Sequence, residues 1–368
     1  MTTTSAPTRD RPRRHVLRWV LISIVVVLAI VVASFALTPT PGALVVRTVF
    51  ERTARDLTAK LEVGAPTTDL VADVSYRGED PRRFARPVDD PPRFARPVDD
   101  PDAYLDVYTP PGTTTALPTI VWTHGGAWLS GDRTNYAGYY RRLAAAGFTV
   151  VSIGYSLAPE HRYPTPVHQL NDAHAYLAEH AEELHIDPDR LVLAGDSAGA
   201  QLSAQLAAAI TDPDYAAVLG ITPALAPEQI RGVVLNCGIY DVPAMGGSGG
   251  LIGWGVKQAL WAYTGSRNFA SSEAAAQMST LRWVTAEFPA TYITGGNGDP
   301  LTNTQSKPLA AKLTDLGAAV DTLFYPDDHT PELGHEYQFD LSLEDARIAL
   351  DRTIEFARKV TGADGPAA

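Results

Sequence analysis

Five residues, Gly195-Asp196-Ser197-Ala198-Gly199, stand between an apolar run, Arg190 to Ala194, and a stretch of strong helix formers, Ala200 to Ile210. A serine flanked by glycines at the joint of a strand and a helix has a specific chemical use. The sharp turn lifts the hydroxyl above the sheet edge, and the amide that follows is free to hold an oxyanion. Glycine is required there because any β-carbon would collide where the chain doubles back. Ser197 is therefore the candidate nucleophile. The same pattern recurs as Gly246-Gly247-Ser248-Gly249-Gly250, but no strand precedes it and the run of small residues reads as a loop. Context, not the pattern, favours Ser197 over Ser248.

A serine nucleophile needs a base, an orienter for that base, and amides where negative charge develops. After the apolar run Thr119 to Thr123 comes His124-Gly125-Gly126-Ala127-Trp128, a glycine loop able to bring backbone amides to a substrate. Gly125, Gly126, Ala127 and Ala198 are the candidate oxyanion donors. His124 precedes the nucleophile and reads as a loop brace. For a serine on such a turn, acid and base follow in that order along the chain. Asp299, in Gly295-Gly296-Asn297-Gly298-Asp299-Pro300-Leu301, follows a strand and is the candidate orienter. His335, in Gly334-His335-Glu336-Tyr337, is the candidate base, with His329 in the same loop as its rival. Asp327 and Asp328 read as solvated loop charges. Trp128, Tyr155 and Trp254 are candidate substrate contacts.

The elements that must position these groups are legible as alternation. Segments at Leu70–Tyr76, Tyr104–Tyr108, Thr119–Thr123, Thr149–Ile153, Leu191–Ala194, Val233–Cys237, Thr291–Thr294 and Asp321–Tyr325 read as strands. Helical stretches at Tyr139–Ala146, Val167–Glu183, Thr304–Leu316 and Leu343–Val360 lie between or after them. This order predicts an α/β domain, a mostly parallel eight-stranded sheet with helices on both faces, over residues 70–361. Residues 246–288, carrying Trp254, Trp261 and Trp283, are too long for a simple crossover and read as a helical cap. Residues 362–368 read as a flexible tail.

The first residues read differently. Trp19 to Leu37 are apolar apart from Ser23 and Ser34, and as a helix they would span about 28 Å, enough for a bilayer core. Arginines at 9, 11, 13, 14 and 18 precede that run. The positive-inside rule then leaves residues 1–18 in the cytoplasm, 19–37 as a single-pass anchor in the cytoplasmic membrane, and the rest outside. A cleaved signal, with Ser34-Phe35-Ala36 as the cleavage site and a secreted product, is the alternative. Thr38 to Gly42 reads as a linker and Ala43 to Leu61 as an amphipathic helix, lid or stalk. Between the first two strands a ten-residue segment, Pro81 to Asp90, repeats at once as Pro91 to Asp100, which predicts a tolerated loop duplication.

Composition narrows the class. Net charge is −12 in a chain of 368 residues, which argues against nucleic acid as a partner. Cys237 is the single cysteine, so no intrachain disulfide forms, and its apolar neighbours predict a buried small hydrophobe. No metal set appears: His335-Glu336 opens like a zinc-protease helix, but Phe339 stands where a second histidine is required. His180 and His185 read as a solvated helix face. Neither a phosphate loop nor a dinucleotide fingerprint is present, so no cofactor is expected.

Together these motifs resemble the hormone-sensitive-lipase-like family of α/β-hydrolase carboxylesterases, over roughly Tyr104 to Val360. Besides HGGAW and GDSAG, Tyr155-Ser156-Leu157-Ala158-Pro159-Glu160 is similar to that family's Y-R-L-A-P-E segment, and Asp299 and His335 match its acid and base. Ala127 in place of a third glycine and Ser156 in place of arginine are departures. The resemblance implies an α/β-hydrolase fold and a serine carboxylesterase acting on short-acyl esters, small-molecule or lipid. Amide hydrolysis or acyl transfer to an envelope acceptor with the same triad remains open, as does a catalytically dead binding module.

Overall fold

A computed structural model of the chain describes residues 12–77, 102–247 and 249–363. The tandem repeat at 81–100, Ser248 and the tail at 364–368 lie outside the described residues. Helix α1, Pro12–Leu37, is followed after two residues by α2, Thr40–Glu62. The expected linker through Gly42 is thus shorter than its composition suggests. Pro41 occupies the first turn of α2, where no backbone donor is needed, so it starts a helix instead of ending one.

The eight expected strands are all present: β1 Asp69–Ser75, β2 Tyr104–Thr109, β3 Leu117–Thr123, β4 Thr149–Ile153, β5 Ile186–Asp196, β6 Ile230–Asn236, β7 Thr291–Gly295 and β8 Val320–Phe324. They form one sheet in the order β1-β2-β4-β3-β5-β6-β7-β8. β1 and β2, and β2 and β4, pair antiparallel, while β3 through β8 run parallel to one another. The central strands are buried along nearly their whole length, Leu117 and Arg231 at the starts of β3 and β6 excepted, which is why they read as apolar runs without alternation.

Helices cover both faces: α3 Ala137–Ala145, α4 Thr165–Glu179, α5 Ala198–Thr211, α6 Pro213–Leu219, α7 Gly250–Thr264, α8 Glu273–Met278, α9 Lys307–Asp315 and α10 Glu344–Thr361. A π-helical turn, Thr302–Ser306, leads into α9, so the expected helix from Thr304 is regular only from Lys307. α5 is buried from Ala198 to Ile210, and its alanines let it lie close against β5 and β6. On the other face Trp122, Tyr139, Tyr140 and Phe339 pack as one aromatic cluster, with Tyr139 edge-on to Trp122 at 5.4 Å. Each such buried ring contributes about 1.5–3 kcal/mol by leaving water.

The segment expected as a cap consists of α7, α8 and short 3₁₀ turns. It packs on α2, with Val46 Cγ2 3.7 Å from the position of a β-carbon on Gly255. Of the two expected roles for α2, docking on the domain is the observed one. Gly42, Ala43, Val46 and Leu61 are its buried face, and Arg47 reaches inward to the Leu129 and Ala158 carbonyls, 2.6 Å from each.

Candidate functional site: a serine relay at the carboxyl edge of the sheet

β3, β5, β6, β7 and β8 all end on one edge of the sheet, where a parallel α/β sheet presents its crevice. Ser197 sits between the end of β5 and the start of α5, with φ 50° and ψ −117°. This backbone is strained for a residue with a side chain, and neighbouring contacts hold it there. The Ser197 amide donates to the Asn236 carbonyl at 2.8 Å, tying the turn to β6. A β-carbon on Gly199 would strike the Thr123 and His124 carbonyl oxygens, and one on Gly195 would lie 2.7 Å from Thr123 O. The two glycines let α5 start directly against the end of β3.

The loop after β8 brings His335 to this turn. Ser197 Oγ–H donates to His335 Nε2 at 3.0 Å, and His335 Nδ1–H donates to Asp299 Oδ2 at 2.8 Å. Asp299 is fixed from behind: its Oδ1 accepts from the Leu301 amide at 2.9 Å, and its side chain is buried. Burial alone would lower the imidazole pKa. The Cys237 sulfur and the charge and hydrogen bond of Asp299 outweigh it and hold His335 well above its ordinary 6.5. The rival base is elsewhere: His329 Nε2 lies 3.1 Å from Asp345 on α10, with its ring against Tyr325.

The glycine loop after β3 arches over the same turn. His124 is buried, stacked on Tyr155 at 4.3 Å, and its Nδ1 donates to Gly125 O at 2.8 Å, a brace as expected. Burial keeps it neutral by lowering its pKa. The amides of Gly126 and Ala127 donate to nothing among the described residues, and that of Ala198 stands in the first turn of α5, where no intrahelical acceptor exists. Gly125 is a correction. Its amide is already given to Asp196 Oδ2 at 2.9 Å, so it cannot also hold an oxyanion.

Two candidate substrate contacts are also corrected. Trp128 is buried, stacked on Tyr263 at 5.0 Å, and donates Nε1–H to Gln201 Oε1 at 3.1 Å. Tyr155 is buried with its hydroxyl on His124 O at 2.9 Å. Both shape the loop from inside and present no surface to a ligand. Trp254 on α7 is half-buried and still available. Trp283 is tied to Tyr215 and Ala276 O, and Trp261 lies under Arg267, so neither hangs free as a roof.

The family model described as BD-FAE matches residues 105–313, more than half of the chain. The chain belongs to the BD-FAE family. Carboxylesterase NlhH of Mycobacterium tuberculosis is 41% identical over 107 residues, 29% of this chain and 34% of that protein. Acetyl esterase of Salmonella paratyphi B is 35% identical over 103 residues, 28% of this chain and 31% of its own length. The chain thus spans about a third of the length of these curated relatives. Among solved structures, esterase B of Lactobacillus rhamnosis superposes with a TM-score of 0.68 at 19% identity, covering 87% of this chain and 96% of that one. A second structure of it, inhibited with a C4-C4 tributyrin phosphonate, gives 0.68 at 18% identity over 88% and 96%. The Pyrobaculum calidifontis esterase gives 0.65 at 22% identity over 87% and 94%. These likenesses show the α/β-hydrolase fold.

In this BD-FAE member, sequence reasoning passed over several residues at the site. Nothing in the motif singles out Asp196, yet it is fully buried and braces both Trp122 Nε1 and the Gly125 amide. Cys237, expected as an inert hydrophobe, is buried. However, it stands at the end of β6 with φ 45°, and burial pushes its thiol up to about 11. Its sulfur and the Asp299 and His335 donor atoms lie within 4.8 Å of one another. Because His335 and Asp299 are already bonded to each other, we assign no ion to the three. The signal for Asp196 in the sequence is a carboxylate directly before the serine at the end of an apolar run.

Proposed function

We propose that this chain is a serine carboxylesterase held at a membrane by α1. The observation that carries the reading is the unbroken relay from Ser197 Oγ through His335 to Asp299 Oδ2, at 3.0 and 2.8 Å, beside unengaged loop amides. Ser197 Oγ attacks the ester carbonyl carbon as His335 Nε2 takes its proton. The imidazolium that forms is held by Asp299. The amides of Gly126, Ala127 and Ala198 stabilise the oxyanion of the tetrahedral intermediate, which is where such sites lower the barrier most. On collapse His335 returns the proton to the departing alkoxide and leaves an acyl-enzyme; water, deprotonated by the same nitrogen, repeats the sequence and releases the acid.

Curated relatives named as carboxylesterase and acetyl esterase support an ester substrate. The tributyrin phosphonate on a protein of the same fold supports a short acyl group. Val16–Leu37 is long and apolar enough to span a bilayer and is not buried against the domain, which supports the anchor. The preceding arginines support an extracytoplasmic catalytic domain. The test is covalent and then kinetic. A fluorophosphonate probe should label Ser197, and turnover across esters, amides and acyl acceptors should favour esters. Labelling elsewhere, or faster amide turnover, overturns the reading.

A further inference from the structure

Beneath the glycine loop lies a pair of carboxyl groups that the ester chemistry above does not use. Asp196 is fully buried; its Oδ1 accepts from Trp122 Nε1 at 2.8 Å and its Oδ2 from the Gly125 amide at 2.9 Å. Glu336 reaches the same place from the opposite side. It follows His335 directly, in a left-handed backbone conformation with φ 61°, which costs a side-chain-bearing residue of order 1 kcal/mol or more. Its side chain is 10% exposed. Oε2 accepts a long hydrogen bond from the Tyr136 hydroxyl at 3.4 Å. Oε1 lies 3.1 Å from where a β-carbon on Gly125 would stand, and Asp196 Oδ2 crowds the same point. Oε1 is buried and receives no hydrogen bond among the described residues.

An orphaned carboxylate oxygen facing a second buried carboxylate is an accounting failure, unless one of the two is an acid. A protonated carboxyl has a donor, and the neighbouring carboxylate supplies its acceptor. The pattern of partners says which one holds the proton. Asp196 has two firm N–H donors that favour its charged form, whereas Glu336 has one weak O–H donor. We propose that Asp196 and Glu336 share one proton, carried by Glu336, and that this pair is a positioning device locking the glycine loop and His335 to the Ser197 turn. Glu336 Oε1–H donates to Asp196 Oδ2, Asp196 holds the Gly125 amide, and the chain from Glu336 runs straight back into His335. Three loops, after β3, β5 and β8, then meet at one proton.

Burial is the main cause that raises both carboxyls above their ordinary range; the Glu336 charge adds to it at Asp196, and the Asp299 charge at Glu336. The other ionisable groups facing the pair are His335, Asp299, Cys237, Tyr136, Tyr139, Tyr140 and Tyr155. Burial keeps those four tyrosines above 10, so they stay neutral while the pair titrates. The nearest basic atom, His335 Nε2, is 3.9 Å from Oε1 and is engaged by Ser197. Once the shared proton leaves at high pH, two adjacent anions press on Gly125 and the loop is forced away. Activity should therefore fall on the alkaline side.

The proposal deepens the esterase reading, so the experiment has an arm independent of turnover. The infrared difference between the full-length wild-type protein and Glu336→Gln at neutral pH should contain the carbonyl stretch of a protonated carboxylic acid. Absence of that band overturns the shared proton whatever the enzyme does to esters. In the kinetic arm, Glu336→Ala should lower kcat/KM roughly ten- to hundredfold, mainly in kcat, because Asp196 loses its donor. Glu336→Gln, whose amide still donates to Asp196, should recover most of that loss. It should also move the alkaline limb upward while leaving the acid limb in place. If Glu336→Gln is as damaged as Glu336→Ala, or shifts the acid limb down instead, Glu336 acts as a charged partner of the imidazolium and the proposal fails.

Discussion

Asp299→Asn is the sharpest test of the relay, because the structure dictates which way the new amide must face. Oδ1 of Asp299 accepts from the Leu301 amide at 2.9 Å, so the Asn oxygen stays on that side. Its NH₂ then points at His335 Nδ1, 2.8 Å from the Oδ2 it replaces. A donor facing Nδ1 forces the ring to carry its proton on Nε2. That proton then meets the Ser197 hydroxyl, and the base has no lone pair with which to accept. The wrong tautomer in such a triad costs about 10⁴ in kcat, which at 1.36 kcal/mol per tenfold is about 5.4 kcal/mol of lost transition-state stabilisation. Shape and volume are unchanged, so folding should survive. The assay is kcat/KM on a short p-nitrophenyl ester with a thermal melt run alongside. Asp299→Ala, which leaves both tautomers open, should be no worse. A loss under about tenfold for Asp299→Asn in a folded protein would refute the assignment of Asp299 as orienter.

Ser197→Ala should lower turnover by roughly 10⁴- to 10⁶-fold and abolish fluorophosphonate labelling, and adding His335→Ala should cost little more because the relay acts as a unit. His329→Ala, remote from Ser197 and paired with Asp345, should cost less than about tenfold in kcat/KM. The base works only when neutral, and His335 titrates above 6.5; the acid limb of kcat/KM should therefore lie above that value, higher than the fall below about pH 6 an unperturbed imidazole would give. Removing residues 1–38 should release a soluble, active enzyme, whereas removal through Glu62, or Arg47→Ala, should depress kcat because the Leu129 and Ala158 carbonyls lose their guanidinium. A series of esters should peak at about four to six acyl carbons, each buried CH₂ adding about 0.8 kcal/mol until the cleft is full; a peak at long chains with interfacial activation would contradict this.

The sequence determined most of what depends on local order. Apolar runs of strand length alternating with helices dictated the sheet, since strands buried on both faces tolerate nothing else. Gly195, Ser197 and Gly199 announced their turn because only glycines fit against the end of β3. The order of Asp299 and His335 after the serine announced the relay. Tertiary structure decided what long-range contact alone can decide. Whether His329 or His335 faces Ser197 depended on where the loop after β8 folds, and no spacing rule carries that. Gly125 and Gly126 are adjacent and alike in sequence, but one amide is consumed by a carboxylate contributed 71 residues later. Trp128 and Tyr155 looked like ligand contacts because aromatic residues near a site often are. Only packing against Tyr263 and His124 revealed that both rings face inward. Asp196 and Glu336 are unremarkable charges in the chain, 140 positions apart, and become a pair because the sheet lays the ends of β5 and β8 on a single edge, where burial makes their proton matter.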